Sequence, residues 1–219
     1  MREVCLKCMQ LTFGHTAALT SPLDWEVKPG EFWAVSGPNG CGKTTLMRTV
    51  LGFLDPVSGT FERTESCAYV AQLADELLDA PARVSDVIRI GLDRRRTWFL
   101  PFYRYRKRAS VDEVLSAFEL EALKDRAFQE ISPGERQRVL MAQAAVSAPE
   151  LIVLDEAASA MDPLHASKSY EKMAEAVVAC GTAVVAITHH LDAVGDAATH
   201  VLRFDQGKIT QIAVKKGAK

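Results

Sequence analysis

Phe32-Trp33-Ala34-Val35-Ser36-Gly37-Pro38-Asn39-Gly40-Cys41-Gly42-Lys43-Thr44-Thr45 is the stretch on which the fold turns. The apolar run 32–35 reads as a strand, and Lys43 to Leu51 reads as a helix. Between them, Gly37 to Thr44 satisfies G-x-x-x-x-G-K-[ST] in the required strand-loop-helix context. Glycines let the backbone curl so that successive N–H groups point inward as an anion nest, and the following helix adds its positive dipole end. Lys43 supplies a point charge for the β- and γ-phosphates of a nucleotide, and the Thr44 hydroxyl is a hard oxygen ligand suited to Mg²⁺. Cys41 occupies a variable position of the loop, flanked by Asn39, Gly40 and Gly42, with Thr45 one residue past the motif.

Downstream, Leu151-Ile152-Val153-Leu154 is an apolar strand that ends in Asp155-Glu156. Open α/β sheets present their ligand-binding residues at such strand ends. Asp155 is placed to hold Mg²⁺, and Glu156 to accept a proton from, or orient, an attacking water. Neighbouring side chains on a strand face opposite ways, so two such roles require the strand to stop there.

Around these elements the chain alternates strands and helices, which implies a largely parallel sheet. Strands are expected at 4–11, 23–27, 66–71 and 183–188, a helix at 164–178, and a closing hairpin across Asp205-Gln206-Gly207. From 84 to 148 the pattern is helical instead, with Val111, Val114, Leu115 and Phe118 at helical spacing. The expectation is one domain over 1–219, with a core at 1–83 and 149–212 and a helical subdomain at 84–148. With 219 residues, 48% hydrophobic and 25% charged, the composition is that of an ordinary globular chain. A net charge of -2 excludes a global attraction to nucleic acid. Five cysteines, odd in number and widely spaced, do not form a disulfide framework, and the Cys5-x-x-Cys8 pair has no second ligand pair. No signal region and no run of about 18–20 apolar residues is present, so a cytosolic chain is expected.

Ile131-Ser132-Pro133-Gly134-Glu135-Arg136-Gln137-Arg138, shortly before the acidic strand, resembles the signature motif of the ATP-binding-cassette (ABC) ATPases. Gln72 resembles that family's Q-loop, Ser159-Ala160-Met161-Asp162 its D-loop, and Ile187-Thr188-His189 its switch-histidine loop. Phe13-Gly14 matches the aromatic position that stacks on adenine. The resemblance covers nearly the whole chain. It implies a P-loop NTPase fold of ABC type, with a mixed sheet, an antiparallel β portion and an inserted helical subdomain. It implies Mg²⁺-dependent ATP hydrolysis in a head-to-tail dimer, either a homodimer or a pair with another ABC subunit. ATP would lie between the phosphate loop of one subunit and Ser132, Gly134 and Glu135 of the other, with Asp162 also among the nucleotide-binding residues. His189 would contact the γ-phosphate, and Gln72 would join Thr44 and Asp155 near the metal and signal to a membrane partner.

The short link from Thr60 to Gln72, the early end of the chain and the segment 125–130 resemble the compact ATPases of zinc, manganese and iron-chelate importers. The expected partners are an integral membrane permease and a solute-binding protein, with the chain peripheral on the cytoplasmic face of the membrane. The alternatives are a soluble ABC ATPase of iron–sulfur type assembly, an exporter ATPase, and a nucleic-acid-acting ABC protein, the last usually with two cassettes or a coiled coil. The basic-aromatic run 94–108 suits a permease or lipid surface better than nucleic acid.

Two positions depart from the family pattern: Pro133 replaces the usual second-position glycine, and Ala157 replaces the usual proline. Proline suits a first helical turn, and Ser132 with Glu135 forms a capping box, so the helix start stays intact while one phosphate donor is lost. Replacing Pro133 by glycine is therefore expected to raise ATP turnover; unchanged or lower turnover in a phosphate-release assay would contradict that account.

Overall fold

The computed structural model describes residues 3–71, 82–93, 110–178, 180–189, 191–205 and 207–214. Gln72, His190 and the run 94–108 lie outside the described residues. Two sheets organise the chain. The first has three antiparallel strands in the order β2-β1-β4: β1 (Leu6–Thr12), β2 (Leu23–Val27) and β4 (Ser58–Arg63). The second has six strands in the order β5-β6-β7-β3-β8-β9. Its members are β3 (Phe32–Ser36), β5 (Cys67–Val70), β6 (Leu151–Asp155), β7 (Ala183–Ile187), β8 (His200–Asp205) and β9 (Lys208–Ala213). All pairings in it are parallel except β8–β9, which is antiparallel across the expected hairpin.

The three central strands β3, β6 and β7 are buried at every position. Side chains alternate between two cores, as the period of a strand dictates. Trp33, Val35, Leu151, Val153, Val185 and Ile187 face the three-stranded sheet and α1 (Lys43–Val50), which contributes Leu46, Met47 and Val50. Phe32, Ala34, Ile152, Leu154, Val184 and Ala186 face the other way. There they meet residues of α2 (Val84–Asp93), α3 (Val111–Ala117), α4 (Pro133–Val146) and α5 (Pro163–Val178). Tyr170 of α5 meets Phe32 edge-on at 6.3 Å between ring centroids. A short helix, α6 (Leu191–Val194), completes the chain between β7 and β8. Among the described residues no helix is long and apolar enough to cross a membrane.

Strand β4 is not foreseen by the sequence pattern. Its residues, Ser-Gly-Thr-Phe-Glu-Arg, are mostly exposed and carry no apolar alternation. It forms because β1 offers a free edge, with which it pairs from Leu6↔Arg63 to Thr12↔Ser58. Its last residue then closes α1: Arg63 donates from Nε to Val50 O at 3.1 Å and from its terminal nitrogen to Leu51 O at 3.3 Å. Carbonyls at a helix C-terminus have no intrahelical partner, and a cation also suits that end of the dipole. Arg63→Met keeps the stem and removes these donors, so it should destabilise the chain by about 1–3 kcal/mol, read as a lowered urea midpoint by the fluorescence of buried Trp25 and Trp33.

Candidate functional site

Because β3, β6 and β7 run parallel, their C-terminal ends open on one edge. The phosphate loop leaves β3 there, and Asp155 and His189 stand at or beyond the ends of β6 and β7. Within the loop, Gly37 and Gly42 hold φ of 150° and 101°. A Cβ on Gly37 would come within 2.7 Å of the Phe204 Cβ, so that position accepts glycine for space as well as for conformation. Gly42 is the N-cap of α1 and offers no side-chain cap, and the first turn of α1 holds no acidic residue. The leading amides of α1 at Lys43, Thr44 and Thr45 are thus left for a ligand of negative charge. Lys43 is 5% exposed, and its ammonium donates to Gly37 O and Pro38 O, both at 2.9 Å, with Cys41 Sγ at 3.9 Å. The loop carries Pro38, Asn39, Gly40 and Cys41 around this ammonium, with Asn39 and Gly40 exposed.

Asp155 is 5% exposed. Its two oxygens have separate partners: Oδ1 lies 3.4 Å from the Thr44 hydroxyl, and Oδ2 accepts from the Tyr69 hydroxyl at 3.0 Å. Burial raises the carboxyl above the usual aspartate range, and the Tyr69 bond works against that rise. Burial, then the neighbouring Asp155 charge, pushes the Tyr69 phenol up to about 12. A hydroxyl and a carboxylate facing each other from two elements are hard oxygen donors, the set that Mg²⁺ accepts.

Glu156 has φ of 51°, in the left-handed region. Its N–H donates to Ile187 O at 3.2 Å, but the backbone then turns out of β6. The backbone thus leaves the strand's alternation between Asp155 and Glu156. The Glu156 carboxylate meets His189 Nε2 in a hydrogen bond.

The remaining expected residues form a second group. Ser132 is the N-cap of α4, with a complete capping box: Glu135 N donates to Ser132 Oγ at 3.3 Å, and Ser132 N donates to Glu135 Oε2 at 2.7 Å. Burial pushes the Glu135 pKa up, but the Ser132 amide and hydroxyl, with the Arg138 and Arg126 charges, together outweigh it, and the net direction is down. Gly134 sits against the turn at Ala160 and Met161. Asp162 caps α5, accepting from Leu164 N at 3.2 Å and His165 N at 3.1 Å.

Phe13 requires a correction. Its ring is 0% exposed, enclosed by Gly42, Leu19 and Phe204, so it has no free face on which a base can stack. The exposed ring nearby in sequence is His15, two residues on. The apolar character that made Phe13 attractive is what draws it into the core. Motif reading also passes over Tyr69 and the buried Gln137, because neither hydroxyl nor amide announces its partner in the sequence.

The family model described as ABC transporter matches residues 20–159. Zinc import ATP-binding protein ZnuC of Yersinia pestis is 31% identical over 205 residues, covering 93% of this chain and 76% of that protein. High-affinity zinc uptake system ATP-binding protein ZnuC of Bacillus subtilis is 29% identical over 217 residues, covering 95% and 93%. An inward-facing solved structure, assigned to a metal-chelate type of ABC transporter, superposes with a TM-score of 0.77 at 28% identity, covering 97% of this chain and 84% of that one. A glycine-rich anion nest, an acidic strand end and a capped signature helix thus stand on a shared fold, and the chain belongs to the ABC transporter family as one of its ATP-binding, ATP-hydrolysing domains.

Proposed function

We propose that this chain powers a metal-ion or metal-chelate importer, hydrolysing ATP on the cytoplasmic face of the membrane beneath a separate permease. The observation that carries the hydrolytic part is the meeting of Lys43, Thr44, Asp155, Glu156 and His189 at one sheet edge. The similarity to zinc-import ATP-binding proteins supports the metal substrate. A solute-binding protein is the further partner this reading implies. The core 1–83 and 149–212 would carry the nucleotide, and the helical subdomain 84–148 would face the permease and the partner's ATP.

In this reading the loop amides and Lys43 hold the β- and γ-phosphates. Thr44 and Asp155 would hold Mg²⁺, with Gln72 as the further ligand expected from the sequence, and the ion would neutralise charge on the phosphate oxygens. Glu156 orients a water on the far side of the γ-phosphorus and takes its proton as the water oxygen bonds to phosphorus. The bond from phosphorus to the β–γ bridging oxygen breaks, and ADP leaves with that oxygen. His189 stays hydrogen-bonded to Glu156 and steadies the γ-phosphate. Ser132, Gly134 and Glu135 of a second copy, or of a paired subunit, cover the same phosphate with the positive end of α4. Loss of the γ-phosphate releases that contact, which makes nucleotide a switch between closed and open pairs.

Glu156→Gln is expected to lower turnover by about 100-fold or more, with ATP affinity retained. Purified from native membranes in mild detergent, that variant should bring down an integral membrane protein and a solute-binding protein that binds a metal ion or its chelate. Soluble partners alone would overturn the transporter reading in favour of an assembly ATPase. Alkylation of Cys41, which is part-exposed beside Lys43, should abolish binding of a fluorescent ATP analogue, and Mg-ATP should protect the thiol. Exposed Cys180 should react regardless of nucleotide, whereas buried Cys8, its thiol pushed up to about 12 by burial, should stay unlabelled in the folded chain.

A further inference from the structure

We infer that Gln137 is a positioning residue, tying the start of α4 to the turn that follows Glu156 in the same chain. The inference rests on the head-to-tail reading above. Residues 156–162 form a compact turn between β6 and α5. Within it, Ser159 N donates to Glu156 O at 3.0 Å and Met161 N donates to Ala158 O at 3.1 Å. The Ala160 amide instead leaves the turn and donates to Gln137 Oε1 at 3.1 Å. Gln137 is 1% exposed. Burying a side-chain amide costs free energy that an apolar side chain of similar size would not, so this bond is what makes glutamine acceptable there. Gly134 adds a second contact from the same helix: a Cβ on it would lie 3.1 Å from Ala160 O, so the two backbones approach closely.

The placement gives the bond its consequence. Gln137 stands five residues after Ser132, about 7.5 Å further along the axis of α4. The start of that helix would cover the ATP held by the partner, whereas Glu156 serves the ATP held by its own chain. The turn is fixed at its other end by Asp162, which caps α5. A shift of α4 on meeting the partner's γ-phosphate is therefore passed through one amide to the turn behind the chain's own Glu156. Gln137 touches neither nucleotide; it sets where the turn sits.

The test compares the full chain with Gln137→Met, which keeps the length and removes the acceptor, and Gln137→Glu, which keeps an oxygen at the same reach. Gln137→Met should bind ATP in the monomer as the parent does, lose turnover at saturating ATP by about tenfold, and show a Hill coefficient for ATP that falls toward about 1, as expected when coupling between two sites is cut. Hydrogen exchange of the Ala160 amide should speed up in Gln137→Met and less so in Gln137→Glu, which should also keep more of the cooperativity. Parental turnover and cooperativity in Gln137→Met would overturn the inference. So would a loss of monomer ATP affinity that accounts for the lost turnover, since that describes general damage to the fold. If Gln137→Met does not fold, Gln137→Glu decides: unchanged protection of Ala160 together with fully lost cooperativity overturns the link. The Glu156→Gln variant, with Gln137 intact, is run alongside by size exclusion with ATP. If it forms no ATP-dependent dimer, the head-to-tail reading fails and this inference with it; a dimer there, with Gln137→Met behaving like wild type, sinks the inference alone.

Discussion

Backbone pairing of β3 with β7 on one side and β8 on the other sets where each group of the candidate site stands. Ala34 lies opposite Ala186 and Val201, and Leu154 lies opposite Ala186 from the next strand over. In this register β3, β6 and β7 end nearly level, so the glycine loop, Asp155 and His189 leave the sheet at one height. The ladder reaches past the strands: Glu156 N still donates to Ile187 O, and Thr188 N to Val35 O at 3.1 Å. Slippage of one residue in any of these strands would turn its inward set to the wrong core and carry its site residue to the wrong face. The two apolar cores that lock the register are therefore part of the site's geometry.

Two helix starts differ in their chemistry. At α1, Gly42 provides conformation and no side-chain acceptor, so the leading amides are kept for an anion. At α4, Ser132 and Glu135 satisfy each other, and Pro133 removes one amide altogether. The first start is built to wait for its ligand, whereas the second is already content without one. A phosphate arriving at α4 meets a carboxylate that also binds the Ser132 hydroxyl at 2.8 Å, so contact there competes with an existing hydrogen-bonded arrangement. In the proposed dimer that difference would suit a tight resident site at α1 and a reversible contact at α4.

Much of this was legible in the residues. The glycine loop, the apolar strand with its acidic end and the capping box are local signals, each carried by a few adjacent side chains. What stayed hidden depends on distant partners. Strand β4 is polar and exists only through its pairing with β1. Phe13 reads as an aromatic near the nucleotide, yet its place is decided by the cavity between Leu19, Gly42 and Phe204. Tyr69 lies 86 positions from Asp155 and Gln137 lies 23 from Ala160, separations over which one sequence gives no pairing signal.

The left-handed backbone of Glu156 bears on how such a chain can change over generations. A non-glycine residue in that region costs about 1–2 kcal/mol relative to glycine, with asparagine better tolerated than glutamate. Folding alone would thus favour glycine or asparagine at the very position proposed here to supply the base. Substitutions accumulated without selection for turnover would tend to relax this strain and silence the enzyme in the same step, leaving a firmer fold that still binds its nucleotide.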